Sequence, residues 1–445
     1  MAWTWVVGAR FAGLGGWGTP TMNNSATMAE GRCRAEQPDQ RQDGLSLAVA
    51  DVGWFNTENL FREIDRPSVG VLLLKCMDYV NGWRRGIYPW SRACRLRRCG
   101  PAAWERQLVL PSGWMKRYPR LGMRPIARSI RGWWQTLPPS WRRGLVMSYP
   151  HYLYLHDQLH PDVSIYYNID DYSLYWPGSA DRIRELERAV VLAAHVTICV
   201  SKLRADELRT LMPEAAGRIH HVPHGTPTPF LAKHPLTQPA EAPTDLANLP
   251  RPYLGYVGSL EDRVDWELMS GIGEAFPDAS IVVVGRVRDA VDEPWWEQCS
   301  RFLARPNVHA LGWRPQVELA RYYQAFDVCL IPYRIDHPFN RACNPTKIMD
   351  AMGSGRPMVA TAIPECKLHA ERFHVVENGV EFTEAVRQIL GRNSDDGRAA
   401  LRHAYAMANT CHRIGERILD LIEPGPRPIR TTTTPSGSIP PSVID

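Results

Sequence analysis

The stretch Asn344-Pro345-Thr346-Lys347-Ile348-Met349-Asp350-Ala351-Met352-Gly353-Ser354-Gly355-Arg356-Pro357-Met358-Val359 decides how the rest of the chain is read. Pro345 suits the first turn of a helix, where its missing N–H costs nothing. The unpaired N–H groups of such a helix start can hold a phosphate, and Lys347, one turn in, adds a point charge. Asp350 follows three residues later, on roughly the same face as Lys347. Gly353 and Gly355 end the helix, and Arg356-Pro357 leads into the next apolar strand. Taken alone, Lys347 and Asp350 also fit a surface i, i+3 ion pair worth about 0.2–0.5 kcal/mol.

Outward from this segment, short β-rich runs recur at 253–257, 281–284, 308–311, 328–331, 358–361 and 374–376. Helical patterns at 266–276, 295–303, 317–326 and 346–352 alternate with them. Such alternation implies βαβ units and a parallel sheet, and the continuous apolar runs suit strands covered on both faces. The first half repeats the theme, with strand-like runs at 45–50, 69–74, 107–110, 145–148, 163–167, 196–200 and 219–222. Its clearest helical patterns are 182–192 and 203–211. The predicted fold is α/β, with two Rossmann-like domains whose parallel sheets face a central cleft. The predicted boundaries are a disordered extension at 1–43, a first domain at 44–232, a Pro-rich linker at 233–250, a second domain at 251–422 and a disordered Pro/Thr/Ser-rich tail at 423–445. A last helix around 406–421 is expected to pack back across the domain junction. Ligands of such sheets bind beyond the carboxyl ends of the strands, here in the cleft.

Composition narrows the class. The chain has 445 residues, 44% hydrophobic and 22% charged, which excludes global disorder. It contains no apolar run long enough for a membrane-spanning helix, and its start lacks the pattern of a secretory signal. Ten cysteines without a CxxC pair point to a reducing compartment, with neither a disulfide framework nor structural zinc. The net charge of +5 is unevenly spread: residues 79–156 hold fifteen Arg or Lys against the single acid Glu105, a net of +14, which leaves −9 on the remainder. Seven tryptophans lie in the same stretch. Ile126, Ile130, Trp133, Trp134 and Leu137 fall on one helical face, with Arg124, Arg128 and Arg131 on the other. Basic residues interleaved with Trp suit an anionic membrane surface. No nucleic-acid-binding module is present, so no nucleic-acid partner is expected.

The 344–359 segment resembles the nucleotide-sugar-binding signature of GT-B-fold glycosyltransferases of the group 1, family 4-like type. The resemblance extends to YLGYVGS at 253–259, IVVVGR at 281–286, NVHALGW at 307–313 and YQAFDVCLIPY at 323–333. In the first half it rests on YYNIDDYS at 166–173, AAHVTICVSKLR at 193–204 and VPHGT at 222–226, which resemble bacterial surface-polysaccharide and teichuronic-acid-type transferases. The resemblance implies transfer of a sugar from a nucleotide-sugar donor, held by the second domain, to a carbohydrate or lipid-linked acceptor held by the first. It implies a role in bacterial exopolysaccharide or cell-surface glycan synthesis.

Residue by residue, Asp350 matches the second acid of the family's E-x7-E element, which accepts hydrogen bonds from the donor ribose. The first acid would fall at Ala342 and is missing. Pro345, Thr346 and Lys347 match the helix start facing the donor phosphates, and Gly258 and Ser259 the small-residue loop that lets backbone approach them. Arg263 and Arg286, with Arg288 as a rival, are candidates for neutralising the leaving diphosphate, and Gly312 and Trp313 for lining the nucleobase. In the first domain Gly53 matches the acceptor loop after the first strand. Asp170, Asp171 and His151, each just beyond a strand, are candidates to orient or deprotonate an acceptor hydroxyl. Asp170 and Asp171 also fit a plain helix cap. Neither a cofactor nor a metal is expected, since arginine, lysine and a helix terminus stabilise the leaving group in such folds. The expected location is cytoplasmic, with peripheral contact to the inner face of the plasma membrane through residues 84–143. A sugar-nucleotide epimerase of the same fold, and a non-catalytic sugar-nucleotide-binding scaffold suggested by Ala342, are the alternatives.

Overall fold

A computed structural model describes residues 43–53, 55–80, 95–111, 118–287 and 293–422. The expected extension at 1–43, the tail at 423–445, Arg288 and the basic residues Arg84, Arg85, Arg92, Lys116 and Arg117 lie, apart from Asp43, outside the described residues.

The first sheet has strands β1 (Leu45–Ala50), β2 (Val69–Asp78), β3 (Leu96–Arg98), β4 (Ala103–Leu110), β5 (Arg142–Met147), β6 (Val163–Asn168), β7 (Val196–Cys199) and β8 (Ile219–His221). Their spatial order is β3-β4-β2-β1-β5-β6-β7-β8. Every ladder in it is parallel except β3–β4. The second sheet has β9 (Tyr253–Val257), β10 (Ser280–Val284), β11 (Val308–Gly312), β12 (Val328–Ile331), β13 (Met358–Thr361) and β14 (His374–Val376). It is parallel throughout, in the order β11-β10-β9-β12-β13-β14. The apolar runs sit where both faces are covered: Val71 to Leu74 of β2 and Ile281 to Val284 of β10 are all buried.

Each sheet reverses its build-up once. The chain steps from β1 outward to β2, then returns to place β5 on the other side of β1; likewise β12 lies on the opposite side of β9 from β10. These reversals are the crevices where α/β sheets bind ligands.

The helix Cys411–Ile422 leaves the second domain and buries Ile414, Ile418, Leu419 and Ile422 in the core of the first. Gly415 lets it lie close: a Cβ there would stand 2.8 Å from Ile64 Cγ1. Arg66 of the first domain pairs with Glu416 and Asp420 of this helix, at 2.7 and 2.6 Å.

Among the described residues of the basic block, several groups are structural. The helix Pro119–Trp134 buries Ile126, Ile130, Trp133 and Trp134 in its own domain, and the Trp134 indole N–H donates to the Ser46 carbonyl at 3.2 Å. Trp141 is buried too. The apolar stripe of this helix is therefore a core face, and Trp133, Trp134 and Trp141 are not available to a bilayer. Arg97 pairs with Glu105, Arg98 donates to the Gly100 and Pro101 carbonyls, and Arg142 reaches the Ile422 carbonyl. What remains outside is the other side of the same helix. Arg120, Arg124, Arg128 and Arg131 are exposed there, and Arg124 and Arg128 have no partner among the described residues.

Candidate functional site between the domains

The second domain's crevice is built from the carboxyl ends of β9, β10 and β12. After β9 the backbone at Gly258 takes φ +156°, and a Cβ there would stand 2.6 Å from Lys347 Nζ and 2.9 Å from the Tyr256 hydroxyl. Behind it, a Cβ on Gly285 would stand 1.7 Å from the Gly258 carbonyl oxygen, so both loops need glycine. Gly258 N donates to Val284 O at 2.9 Å, and Gly285 N to Gly312 O at 3.0 Å, lacing the ends of β9, β10 and β11 together.

The helix Thr346–Met352 starts beneath this loop, with Pro345 at its N-cap and no side-chain cap on its first N–H groups. Lys347 and Asp350 are both buried, at 8% and 5% exposure, so the surface ion-pair reading does not apply. The Lys347 ammonium lies 4.3 Å from the Tyr256 ring centre and 4.4 Å from that of Tyr333, a cation–π cage at the β9/β12 reversal. Burial, with Arg263 nearby, lowers its pKa to about 7. Burial likewise raises that of Asp350 to about 8, against the opposing pull of Lys347. Asp350 Oδ1 has no hydrogen-bond partner among the described residues. A buried lysine near neutrality and a buried acid with an unused oxygen are groups held ready for charge that a ligand brings.

Around this pair stand the other candidates. Arg263 donates to Glu261 at 2.7 Å and faces the rings of Tyr333 and Phe339 at 5.5 and 5.7 Å. Arg286 covers Trp313 at 4.8 Å, and Trp313 remains 54% exposed beyond Gly312, whose φ is +71°. Ser259 contributes its carbonyl to the Tyr256 hydroxyl at 2.8 Å, and Thr346 is half-buried. Ala342 is buried at the end of the short helix Pro338–Ala342.

The first domain meets this crevice with the residues after β6. Asp170 accepts from the Tyr175 hydroxyl at 2.6 Å, and the Tyr175 ring packs edge-on against Phe339 of the second domain at 4.7 Å. Burial raises the Asp170 pKa to about 6, opposed by Tyr175 and by the positive charge of Arg263. Asp171 does something else. Its Oδ1 accepts from Ser173 N at 2.9 Å and Ser173 Oγ at 2.6 Å, which makes it the cap of the short turn that follows. His151, beyond β5, has an unpartnered Nδ1 among the described residues and packs edge-on to Trp176 at 5.7 Å. Its burial, helped by Arg182, lowers its pKa to about 4, so the ring is neutral. Gly53 is exposed beyond β1, next to Asp51, whose φ of 60° turns the chain out of the strand. The structure thus groups Gly258, Ser259, Arg263, Lys347, Asp350 and Asp170 around one crevice; Arg286, Gly312 and Trp313 form its rim, and His151 and Gly53 lie at the first sheet's own reversal.

Sequence reading did not single out Tyr256, Tyr333, Tyr175 or Glu261. Tyr256 and Tyr333 lay in quoted segments, at or just past the ends of strands that flank the reversal, which is the signal that marks them. Nor did it single out the ties that hold the domains together. Asn344 donates to the Val200 carbonyl at 2.9 Å and to Glu365 at 3.1 Å, and Glu365 also accepts from Lys202 N at 3.1 Å.

The fold is that of GT-B proteins, and residues 251–392, in the second domain, match the family "Glycosyl transferases group 1". More particularly, the chain is 22% identical over 241 residues to TuaH of Bacillus subtilis (strain 168), which bears the name of a teichuronic acid biosynthesis glycosyltransferase. That match covers 52% of this chain and 59% of TuaH. Among solved structures, sucrose-phosphate synthase from Thermosynechococcus elongatus superposes with a TM-score of 0.60 at 14% identity, covering 85% of this chain and 98% of that one. A UDP-forming alpha,alpha-trehalose-phosphate synthase from Burkholderia vietnamiensis gives 0.60 at 12% identity over 85% and 99%. Anabaena HepE, solved with UDP and glucose, gives 0.54 at 13% identity over 84% and 98%.

Proposed function

We propose that this protein transfers a sugar from a nucleotide-sugar donor, most consistent with a UDP-sugar, to a carbohydrate or lipid-linked acceptor in bacterial surface-glycan synthesis. The observation that carries the reading is the buried Lys347–Asp350 pair beneath Gly258. The unused Asp350 oxygen suits the ribose hydroxyls, and Lys347 and the uncapped helix start suit the diphosphate. Solved relatives of the fold are described with UDP or as UDP-forming, and TuaH bears a surface-glycan name.

Breaking the anomeric C–O bond builds negative charge on the leaving diphosphate. Lys347, Arg263 and the N–H groups of the Thr346–Met352 helix are placed to stabilise it without reorganisation. Arg286 and Trp313 form the rim on which the base rests. Asp170, with a pKa near 6 and steadied by Tyr175, is the group assigned to the acceptor side, with His151 as a neutral hydrogen-bonding partner. The exposed arginines of the Pro119–Trp134 helix form the face that meets an anionic membrane, where a lipid-linked acceptor resides. No helix among the described residues is long and apolar enough to cross a membrane.

The test is incubation with UDP-, GDP- and TDP-sugars, with and without a membrane lipid extract. Release of nucleoside diphosphate that rises with extract for one donor supports the assignment. A changed sugar on an intact nucleotide, or binding of every donor without turnover, refutes it.

A further inference from the structure

The short helix Pro338–Ala342 buries one polar side chain, that of Asn340, which is 0% exposed. Its Nδ2 donates to the Arg263 carbonyl at 2.8 Å and to the Arg334 carbonyl at 2.9 Å. Two carbonyls meet the same end of the amide, which fixes that end as nitrogen. The other end, Oδ1, is buried with no partner among the described residues. An orphaned buried oxygen carries a cost that an apolar side chain of the same shape would avoid. Nor does either carbonyl depend on Asn340 for a donor. The Arg263 oxygen also accepts from Arg334 N at 3.0 Å, and the Arg334 oxygen from His337 N at 3.4 Å. What the amide adds is therefore placement, by holding two carbonyls of different loops at one point.

The loop so placed is the one after β9. Val264 bridges Tyr333, and Asp265 N donates to Pro332 O at 2.8 Å, so this loop lies along the exit of β12. The Arg263 side chain is set from the same loop. Glu261 takes its Nε at 2.7 Å, and the Glu261 carbonyl is held in turn by the Trp266 indole N–H at 3.0 Å. The guanidinium faces the Tyr333 and Phe339 rings. With Nε taken, its two terminal nitrogens are the end that can turn to an anion. Phe339 precedes Asn340 in the same short helix, so the ring beside the guanidinium and the amide that fixes its backbone are placed together. A rigid fork of donors is only as well aimed as the backbone that carries it, and a misplacement of about 1 Å costs up to about a hundredfold in such sites.

We propose that Asn340 is a positioning residue: by pinning the Arg263 and Arg334 carbonyls together, it aims the Arg263 guanidinium at the diphosphate of the donor. The inference rests on the glycosyl-transfer reading above, which assigns Arg263 to that diphosphate.

The test compares Asn340→Leu, Arg263→Gln and the double variant on the full chain, by calorimetric UDP affinity and by melting temperature, with Asn340→Asp as a second variant at the same position. Asn340→Leu is expected to melt within about 4 °C of the wild type, because both carbonyls keep a backbone donor and the orphaned oxygen is gone. Its UDP affinity should fall about tenfold, and that of Arg263→Gln about ten- to hundredfold, for the loss of one charge-assisted contact. In the Arg263→Gln background, Asn340→Leu should change affinity by less than about twofold, because the group it positions is no longer there. An equal loss in both backgrounds marks a merely structural role and overturns the proposal. So does an unchanged affinity in Asn340→Leu beside a loss in Arg263→Gln. If neither Asn340 variant folds, Asn340 is a folding residue and the proposal is overturned as well. If Arg263→Gln binds UDP as the wild type does, or the wild type binds none, the donor assignment of Arg263 fails and the positioning fails with it.

Discussion

At the residue scale, Lys347 and Asp350 would make the proposed donor site a proton-coupled one. Burial pushes the Lys347 amine down and the Asp350 carboxyl up, so both lean towards their neutral forms in the free protein. In the proposed reading a bound nucleotide favours the ammonium against its phosphates and the carboxylate against its ribose, so binding is coupled to protonation of Lys347 and deprotonation of Asp350. On the alkaline side Lys347 must capture a proton, so UDP affinity is expected to fall, approaching tenfold per pH unit. On the acid side Asp350 must release its proton, so affinity falls again. Calorimetric titration of UDP across pH 6–9.5 checks this, and Lys347→Met should flatten the alkaline limb. Asp350 should also cost stability. Its folded pKa lies above its ordinary value, so its contribution is fully present below about pH 4 and is lost as pH rises towards 8. Asp350→Asn removes that loss. Its unfolding free energy is expected to exceed the wild type's by an amount that grows with pH up to about 8, at no more than about 1.4 kcal/mol per pH unit. Its UDP affinity should drop roughly ten- to hundredfold, for one charge-assisted hydrogen bond of about 1.5–3 kcal/mol. Denaturant melts at pH 5 and 8 beside UDP titrations separate the two effects.

At the element scale, the Pro119–Trp134 helix shows both what sequence can say and where it stops. Its period of apolar and basic residues was legible, because it is written in the local order of side chains. Which face meets what was not legible: Trp133 and Trp134 could cover a bilayer or β1, and only the Trp134–Ser46 contact, 88 residues apart, decides for the core. The short β3, Leu96–Arg98, carries no alternation of its own and exists through its antiparallel pairing with β4. By contrast, Gly258 and the Pro345 helix start announced themselves, since backbone geometry restricts residue type directly. The cage of Tyr256 and Tyr333 around Lys347 did not, because it forms between strands adjacent only in the folded sheet. With its apolar face inside, the helix can meet a membrane only through its outer arginines. Replacing Arg120, Arg124 and Arg128 together by Gln should weaken binding to phosphatidylserine vesicles by up to about 3 kcal/mol, at roughly 1 kcal/mol per charge. Sedimentation at low and high salt checks this, and equal binding by the variant would remove the membrane face from the first domain.

At the scale of the whole molecule, two domains that each own a sheet are not independent, because the chain's last described helix belongs by sequence to one and by packing to the other. Cys411–Ile422 follows the second sheet, yet Ile414, Ile418, Leu419 and Ile422 complete the first domain's core against the Phe55–Arg62 helix. Asn344 and Glu365 tie the second domain to Val200 and Lys202 beside the same cleft. The fold's stability and the geometry of the cleft therefore share contacts. If the helix were only an appendage of the second domain, truncating a side chain in it would leave the first domain's unfolding unchanged. Its burial argues otherwise: Ile418→Ala empties a fully buried position and should cost about 2–5 kcal/mol, falling on the first domain more than 180 residues upstream in sequence. Hydrogen exchange resolves the two cases by region. Amides of β1 and β2 should lose protection in Ile418→Ala while those of β9 and β10 keep it, and uniform loss in both sheets would instead mean that the domains unfold as one unit.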